Sequence, residues 1–126
     1  TSADFLKQFD LRKGMRRDIR RYSNDLANQL MRTASCNGNH SVEQRLARWL
    51  LMMRDRLSTR RYTLTQKYLG YMLGVRRAAI NEAAGRLQRR GLIRYARGSM
   101  EILDAAGLKA AACRCYRAWK DSPRPR

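Results

Sequence analysis

The segment LTQKYLGYMLGVRRAAINEAAGRLQRRGLI, from Leu64 to Ile93, constrains the fold more than any other part of the chain. Leu69 and Leu73 form an apolar ridge on one helical stretch. Ile80, Ala83 and Leu87 recur every three to four residues on the next, so two amphipathic helices face one another. Gly74 falls between them, where a tight turn between crossed helices calls for positive φ, and Val75 supplies an apolar plug beneath the turn. Gly70 is expected to let the second helix cross without a Cβ in the way. Thr65 stands where an N-cap belongs, and Gly91 suits the left-handed end of the second helix. Caps, turn and ridges together describe a helix-turn-helix.

Its flanks extend the pattern. LIRYA (Leu92 to Ala96) and MEILD (Met100 to Asp104) are strand-like and are joined by Arg97-Gly98-Ser99, which predicts a basic hairpin, or wing. Asp104 is positioned to cap a last helix from Ala105 to about Trp119, followed by a frayed SPRPR tail. Upstream, Ser41 and Gln44 form a capping-box pattern. It starts a helix running through Leu57, with Val42, Leu46, Trp49, Leu50, Met53 and Leu57 on its buried side. The fold class is therefore mostly α with a small β wing.

The first 35 residues need a separate explanation. Met15, Ile19, Tyr22, Leu26 and Leu30 recur at steps of three and four on an otherwise arginine-rich helix, which is the pattern of a narrow seam. A helix projecting ahead of a small domain has little of its own chain to cover such a seam, so a second copy is the expected partner. The bend into the winged unit is expected within Cys36-Asn37-Gly38-Asn39-His40. Three parts follow: residues 1–39 as dimerisation helix and hinge, 40–119 as the winged unit, and 120–126 as a disordered tail.

Charge points to the partner. The chain carries 28 Lys and Arg against 10 Asp and Glu, a formal net charge of +18 over 126 residues, and the excess is spread over both halves. Such a field draws polyanions, nucleic acid first. The longest bulky apolar run, WLLMM (Trp49 to Met53), is far too short to span a membrane, and no secretory apolar region opens the chain. A soluble, cytoplasmic protein is expected. Thr1 is not a start methionine, so the chain is also expected to be a piece of a longer one.

No catalytic constellation is visible: there is one histidine, no glycine-rich phosphate loop and no carboxylate pair flanking a plausible cleft, so an enzyme is not expected. Cys36 and His40 have Cys-x3-His spacing, and Cys113 and Cys115 add two thiols. These pairs lie at opposite ends of the chain, and Cys-x-Cys on a helix points two ways. Reduced thiols and no metal site are expected.

The order of a long helix, CNGNHSVEQRLARWLL, LTQKYLGYMLGVRRAAINEAAGRLQRRGLIRY and ILDAAGLKAAACRCY resembles the C-terminal part of Crp/Fnr family transcription regulators over essentially the whole chain. The resemblance implies a sequence-specific regulator that binds a palindromic operator in double-stranded DNA as a homodimer, with its recognition helix in the major groove. In that family the long helix dimerises, and members often touch RNA polymerase. A cyclic-nucleotide-binding-like barrel, outside this chain, senses the effector, so the resemblance implies no cofactor here and leaves the effector unspecified. The family's iron-sulfur members take their cysteines from that outlying region, which the three cysteines here do not match.

The family's recognition helix reads Ser-Arg-Glu-Thr-Val-x-Arg, whereas this chain has Arg76-Arg77-Ala78-Ala79-Ile80-Asn81-Glu82. Arg77 and Ile80 carry over. Arg77 inherits the contact to guanine, for which bidentate binding to O6 and N7 supplies the physical reason. Ala78 and Glu82 depart from the pattern, so the operator sequence does not transfer. Chemistry offers Ala78 a thymine methyl, Asn81 an adenine, and Glu82 either cytosine N4 or a salt bridge to Arg86, the salt bridge ranking higher. Arg76 completes the base-reading set and is equally suited to phosphate. Thr65, Lys67 and Arg97 are the candidate phosphate contacts. Two other readings remain open: a nonspecific nucleic-acid binding module, RNA or DNA, using the same arginine field, and a basic helix docking an acidic partner or membrane surface.

Overall fold

The computed structural model describes residues 1–122, so the end of the SPRPR tail lies outside the described residues. Helix α1 (Ser2–Leu11) and helix α2 (Lys13–Asn39) are separated by Arg12, in extended backbone with φ −111° and ψ 96°. The sequence reading did not anticipate this break. It is held by Arg16, which donates to Asp10 Oδ1 at 2.9 Å and stands 5.5 Å from the Phe9 ring centroid.

The expected bend at Cys36 to His40 is narrower than the composition suggested. Residues Cys36 to Asn39 form the last turn of α2, and the bend is made by two extended residues, His40 with φ −118° and ψ 153° and Ser41 with φ −64° and ψ 157°. Asn39 Nδ2 donates to the Ser35 carbonyl at 2.9 Å, and the His40 amide closes on the Cys36 carbonyl at 3.1 Å. Helix α3 (Val42–Leu57) then restarts at once through the Ser41/Gln44 capping box. Asn and Gly mark turns only when local bonds favour leaving the helix; here they favour staying in it.

Helix α3 is the centre of the core, packing against both α5 (Arg77–Arg89) and α6 (Ala105–Ala111). Leu46, Trp49 and Leu50 are buried as expected, Val42 and Met53 are partly buried, and Leu57 is 56% exposed. Leu51 and Met52 are buried in addition, because a helix sandwiched on two sides buries a wider arc than one amphipathic stripe. Arg45 is buried too. Its guanidinium donates to the Leu73 carbonyl at the end of α4 (Gln66–Leu73), where a cation meets the negative end of the helix dipole.

Leu69, Leu73, Ile80, Ala83 and Leu87 all lie in this core, as the ridges predict. Gly74 has φ +63°, which a residue with a Cβ adopts only with strain. Gly70 has a different task from the one expected: a Cβ there would lie 2.9 Å from the Val75 carbonyl oxygen, so it clears the turn backbone rather than the body of α5.

Three strands form an antiparallel sheet in the order β1 (Arg61–Thr63), β3 (Ser99–Ile102), β2 (Ile93–Ala96). The wing is present, and β1 is an addition: Tyr62 pairs with Met100 and both are buried. A two-residue run of positive φ, Arg97 at 50° and Gly98 at 74°, turns the hairpin, while Ser99 belongs to β3 opposite Ala96. The single C-terminal helix expected from Ala105 is two: α6, capped by Asp104, and α7 (Cys115–Lys120). Ala112, with φ −75° and ψ 153°, breaks them, which allows Leu108 and Tyr116 both to reach the core. Among the described residues no helix is long and apolar enough to cross a membrane.

Candidate nucleic-acid interface

Helix α5 presents Arg77, Ala78, Asn81 and Glu82 to solvent, while Ile80, Ala83, Ala84 and Leu87 face inward. Arg76 is the N-cap, exposed and without a side-chain capping bond. All five candidate base-reading residues therefore share the outer surface of one short segment.

Gln66, which the sequence reading overlooked, organises that surface. Its Oε1 accepts from Arg77 Nε at 3.0 Å, and its Nε2 donates to Asn81 Oδ1 at 3.1 Å. The first residue of α4 thus bridges two candidate base readers on α5, one turn apart. Bonding through Nε leaves the two terminal nitrogens of Arg77 free to face outward as a fork. No spacing rule within one helix reveals this link, because it joins two helices whose crossing must already be known.

Glu82 is paired with Arg86 one turn on, as their spacing predicts. That pairing supports α5 and occupies the carboxylate.

At the start of α4, the Thr65 hydroxyl accepts from the Tyr68 amide at 3.1 Å. Amides of the first helical turn point outward beyond such a cap and favour an anion, and Lys67 is exposed beside them. The tip of the wing is tied to this place. The Leu64 amide donates to the Gly98 carbonyl at 2.7 Å, and the Tyr95 hydroxyl donates to the Leu64 carbonyl at 3.0 Å. Burial pushes the Tyr95 hydroxyl above its ordinary pKa against the opposing charge of Arg77, so it stays a donor. Arg97 is exposed at the tip. Thr65, Lys67 and Arg97 are consequently brought to neighbouring elements on one edge of the domain.

Glu101 on β3 takes two arginines, Arg61 at 3.4 Å and Arg94 at 3.3 Å. These surface pairs partly neutralise the sheet.

The seam of α2 is divided. Met15 and Ile19 are half-buried, whereas Tyr22, Leu26 and Leu30 are 51%, 43% and 61% exposed. Tyr22 and Leu26 line a cleft of about 170 Å³ against Arg48, Met52 and Trp119 of their own chain. Leu30 lies outside it.

Cys36, His40, Cys113 and Cys115, expected apart, have their ligand atoms all within 4.8 Å of one another. The break after α6 takes Cys113 off any helix, so the Cys-x-Cys pair converges instead of diverging.

Crossed helices joined by a left-handed glycine, followed by a pinned basic hairpin, define a winged helix-turn-helix. The chain belongs to the Crp-like helix-turn-helix domain family, which matches residues 44–111. It is similar in structure to a transcriptional regulator of the Crp/Fnr family from Eubacterium rectale, at 25% identity and TM-score 0.64, covering 74% of this chain and 45% of that one. Two Thermus thermophilus regulators are also similar. One, of the Crp family, gives 21% identity and TM-score 0.61 over 75% of this chain and 53% of its own. The other, of the Crp/Fnr family, gives 23% identity and TM-score 0.61 over 82% of this chain and 54% of its own. This chain thus spans about half the length of these structures. No curated protein matches it in sequence. Family and fold are those of transcription regulators.

Proposed function

We propose that this chain is the DNA-binding and dimerisation portion of a transcription regulator that reads palindromic operator DNA as a homodimer. The observation that carries the reading is the Arg77–Gln66–Asn81 relay on the exposed start of α5. A surface meant only for nonspecific attraction needs mobile cations; this one fixes an arginine fork and an amide in register. Arg77 reads guanine, Asn81 adenine, and Ala78 a thymine methyl. Arg76 enters beside them, and Glu82 acts chiefly through Arg86. Thr65, Lys67 and Arg97 hold phosphates and set the docking angle. RNA polymerase is a further proposed partner, and the cytoplasm the proposed compartment.

Residues 1–39 supply dimerisation through the seam of Met15, Ile19, Tyr22, Leu26 and Leu30, of which Leu30, 61% exposed, is the most open. Two copies then place their α5 helices in half-sites about 34 Å apart.

Selection from random duplexes tests the reading. A palindromic consensus supports it; retention of duplexes without enrichment supports nonspecific binding instead. On the selected duplex, Arg77→Ala should cost about 1 to 3 kcal/mol and relax one position, whereas Lys67→Ala should weaken all sequences alike.

A further inference from the structure

The convergence of four soft or borderline donors at the junction of α2, α6 and α7 has no part in reading DNA. Cys36 lies in the last turn of α2 and His40 is the residue that ends the helix, its amide bonded to the Cys36 carbonyl. Cys113 arrives on the connection that follows α6 and Cys115 at the first residue of α7. Cys36 Sγ stands 3.5 Å from Cys113 Sγ, and Cys115 Sγ stands 3.6 Å from His40 Nδ1. We propose that Cys36, His40, Cys113 and Cys115 form a structural zinc site that clamps the end of α2 to the α6–α7 connection.

The spacing favours a cation over a disulfide. Tetrahedral zinc, with Zn–S of about 2.3 Å and Zn–N of about 2.0 Å, separates two sulfurs by about 3.8 Å and a sulfur from a nitrogen by about 3.5 Å. The Cys36–Cys113 and Cys115–His40 contacts sit near those values, and the remaining pairs close to them with shifts of about 1 Å. A disulfide requires sulfurs at about 2.05 Å. Three sulfurs with one imidazole are a closed donor set, with no position left for water, which is the composition of a structural rather than a catalytic site.

Burial and charge agree. Cys36 is fully buried and Cys113 nearly so, while Cys115 and His40 are half-buried, leaving a path for the ion to enter. Loading replaces three thiol protons, released to solvent, with one Zn2+, so the centre carries a net charge of −1. Arg48 supplies the compensating charge: it is buried, lies within electrostatic range of Cys36, and its Nε has no hydrogen-bond partner among the described residues. A buried cation of this kind is costly without an anionic neighbour. The clamp would fix the angle at His40 and hence the direction in which α2 carries its apolar seam.

The test uses the whole chain, tag-free, purified under reducing conditions without chelator. Elemental analysis should find one zinc per chain, and cobalt exchanged for it should give the intense visible bands of tetrahedral thiolate coordination. Cys115→Ser and His40→Gln remove half-buried ligands and leave the core intact, so their folded variants should bind zinc more than about a hundredfold more weakly, since even loss of an outer partner costs 10 to 100-fold. Chelation should lower the thermal midpoint of the wild type and leave that of Cys115→Ser unchanged. A reduced, folded wild-type chain that takes up no stoichiometric zinc, or variants that bind it as tightly, would overturn the proposal. Neither result bears on DNA reading.

Discussion

Replacing Gln66 by alanine isolates the feature that distinguishes a base-reading surface from a merely basic one. Gln66 holds Arg77 Nε at 3.0 Å and Asn81 Oδ1 at 3.1 Å, and both partners are solvent-exposed. Without it, two side chains must be ordered at the moment of binding, each at about 0.5 to 1.5 kcal/mol. The expected loss is therefore about 1 to 3 kcal/mol, or roughly 5-fold to 150-fold in Kd. That loss should fall on the selected duplex only, because contacts to random DNA do not require the fork to be aimed. Stability should hardly change, as the three groups stand at the surface. Fluorescence anisotropy with selected and scrambled duplexes at one fixed salt concentration measures the difference, since affinities at unequal salt are not comparable. Equal losses on both duplexes, or none on the selected one, would refute the idea that the relay aims Arg77.

Other predictions concern stability and assembly. Gly70→Ala drives a Cβ to 2.9 Å from the Val75 carbonyl and should cost about 1 to 3 kcal/mol in chemical denaturation, with Gly74→Ala, at φ +63°, costing about 1 to 2 kcal/mol. Leu30→Glu places a charge on the exposed part of the α2 seam and should convert a dimer to a monomer in sedimentation at micromolar concentration; a wild-type chain that is already monomeric would sink the dimer. Tyr116 donates to Asp55 Oδ2 at 2.6 Å, so Tyr116→Phe should cost about 1.5 kcal/mol by denaturant titration. Burial raises the Asp55 carboxyl, but Tyr116, Arg54 and Lys120 together hold it below its ordinary value. Its contribution is thus fully present above about pH 4 and is lost as pH falls through the lower folded value, and in Tyr116→Phe acid unfolding should begin at higher pH.

Local signals in the sequence suffice where one helix or one turn decides the outcome. Ser41 with Gln44, Thr65, Gly74, Gly91 and Asp104 all cap or turn as their chemistry dictates, and the ridge from Leu69 to Leu87 is the core. Features that depend on two distant segments were less legible. Strand β1 is three residues long and exists only because β3 offers an edge to pair with. Leu57 has the right helical phase but lies at the end of α3, next to the left-handed Ser58, beyond the reach of the packing elements. The break between α6 and α7 follows from burying both Leu108 and Tyr116, a tertiary demand that periodicity does not encode. For the same reason Gln66 and the meeting of Cys36 with Cys113 were invisible until the helices were placed.

Methylation protection of guanine N7 on the selected duplex tests most directly whether α5 reads the major groove. Bidentate binding by Arg77 covers O6 and N7 together, so protected guanines should appear in two symmetric clusters about 34 Å apart along the duplex. Arg77→Ala should lose protection at one guanine in each cluster while retaining binding at low salt. Bound DNA whose guanines remain open to methylation throughout, or whose protection is unchanged in Arg77→Ala, would contradict the assignment of α5 as the recognition helix.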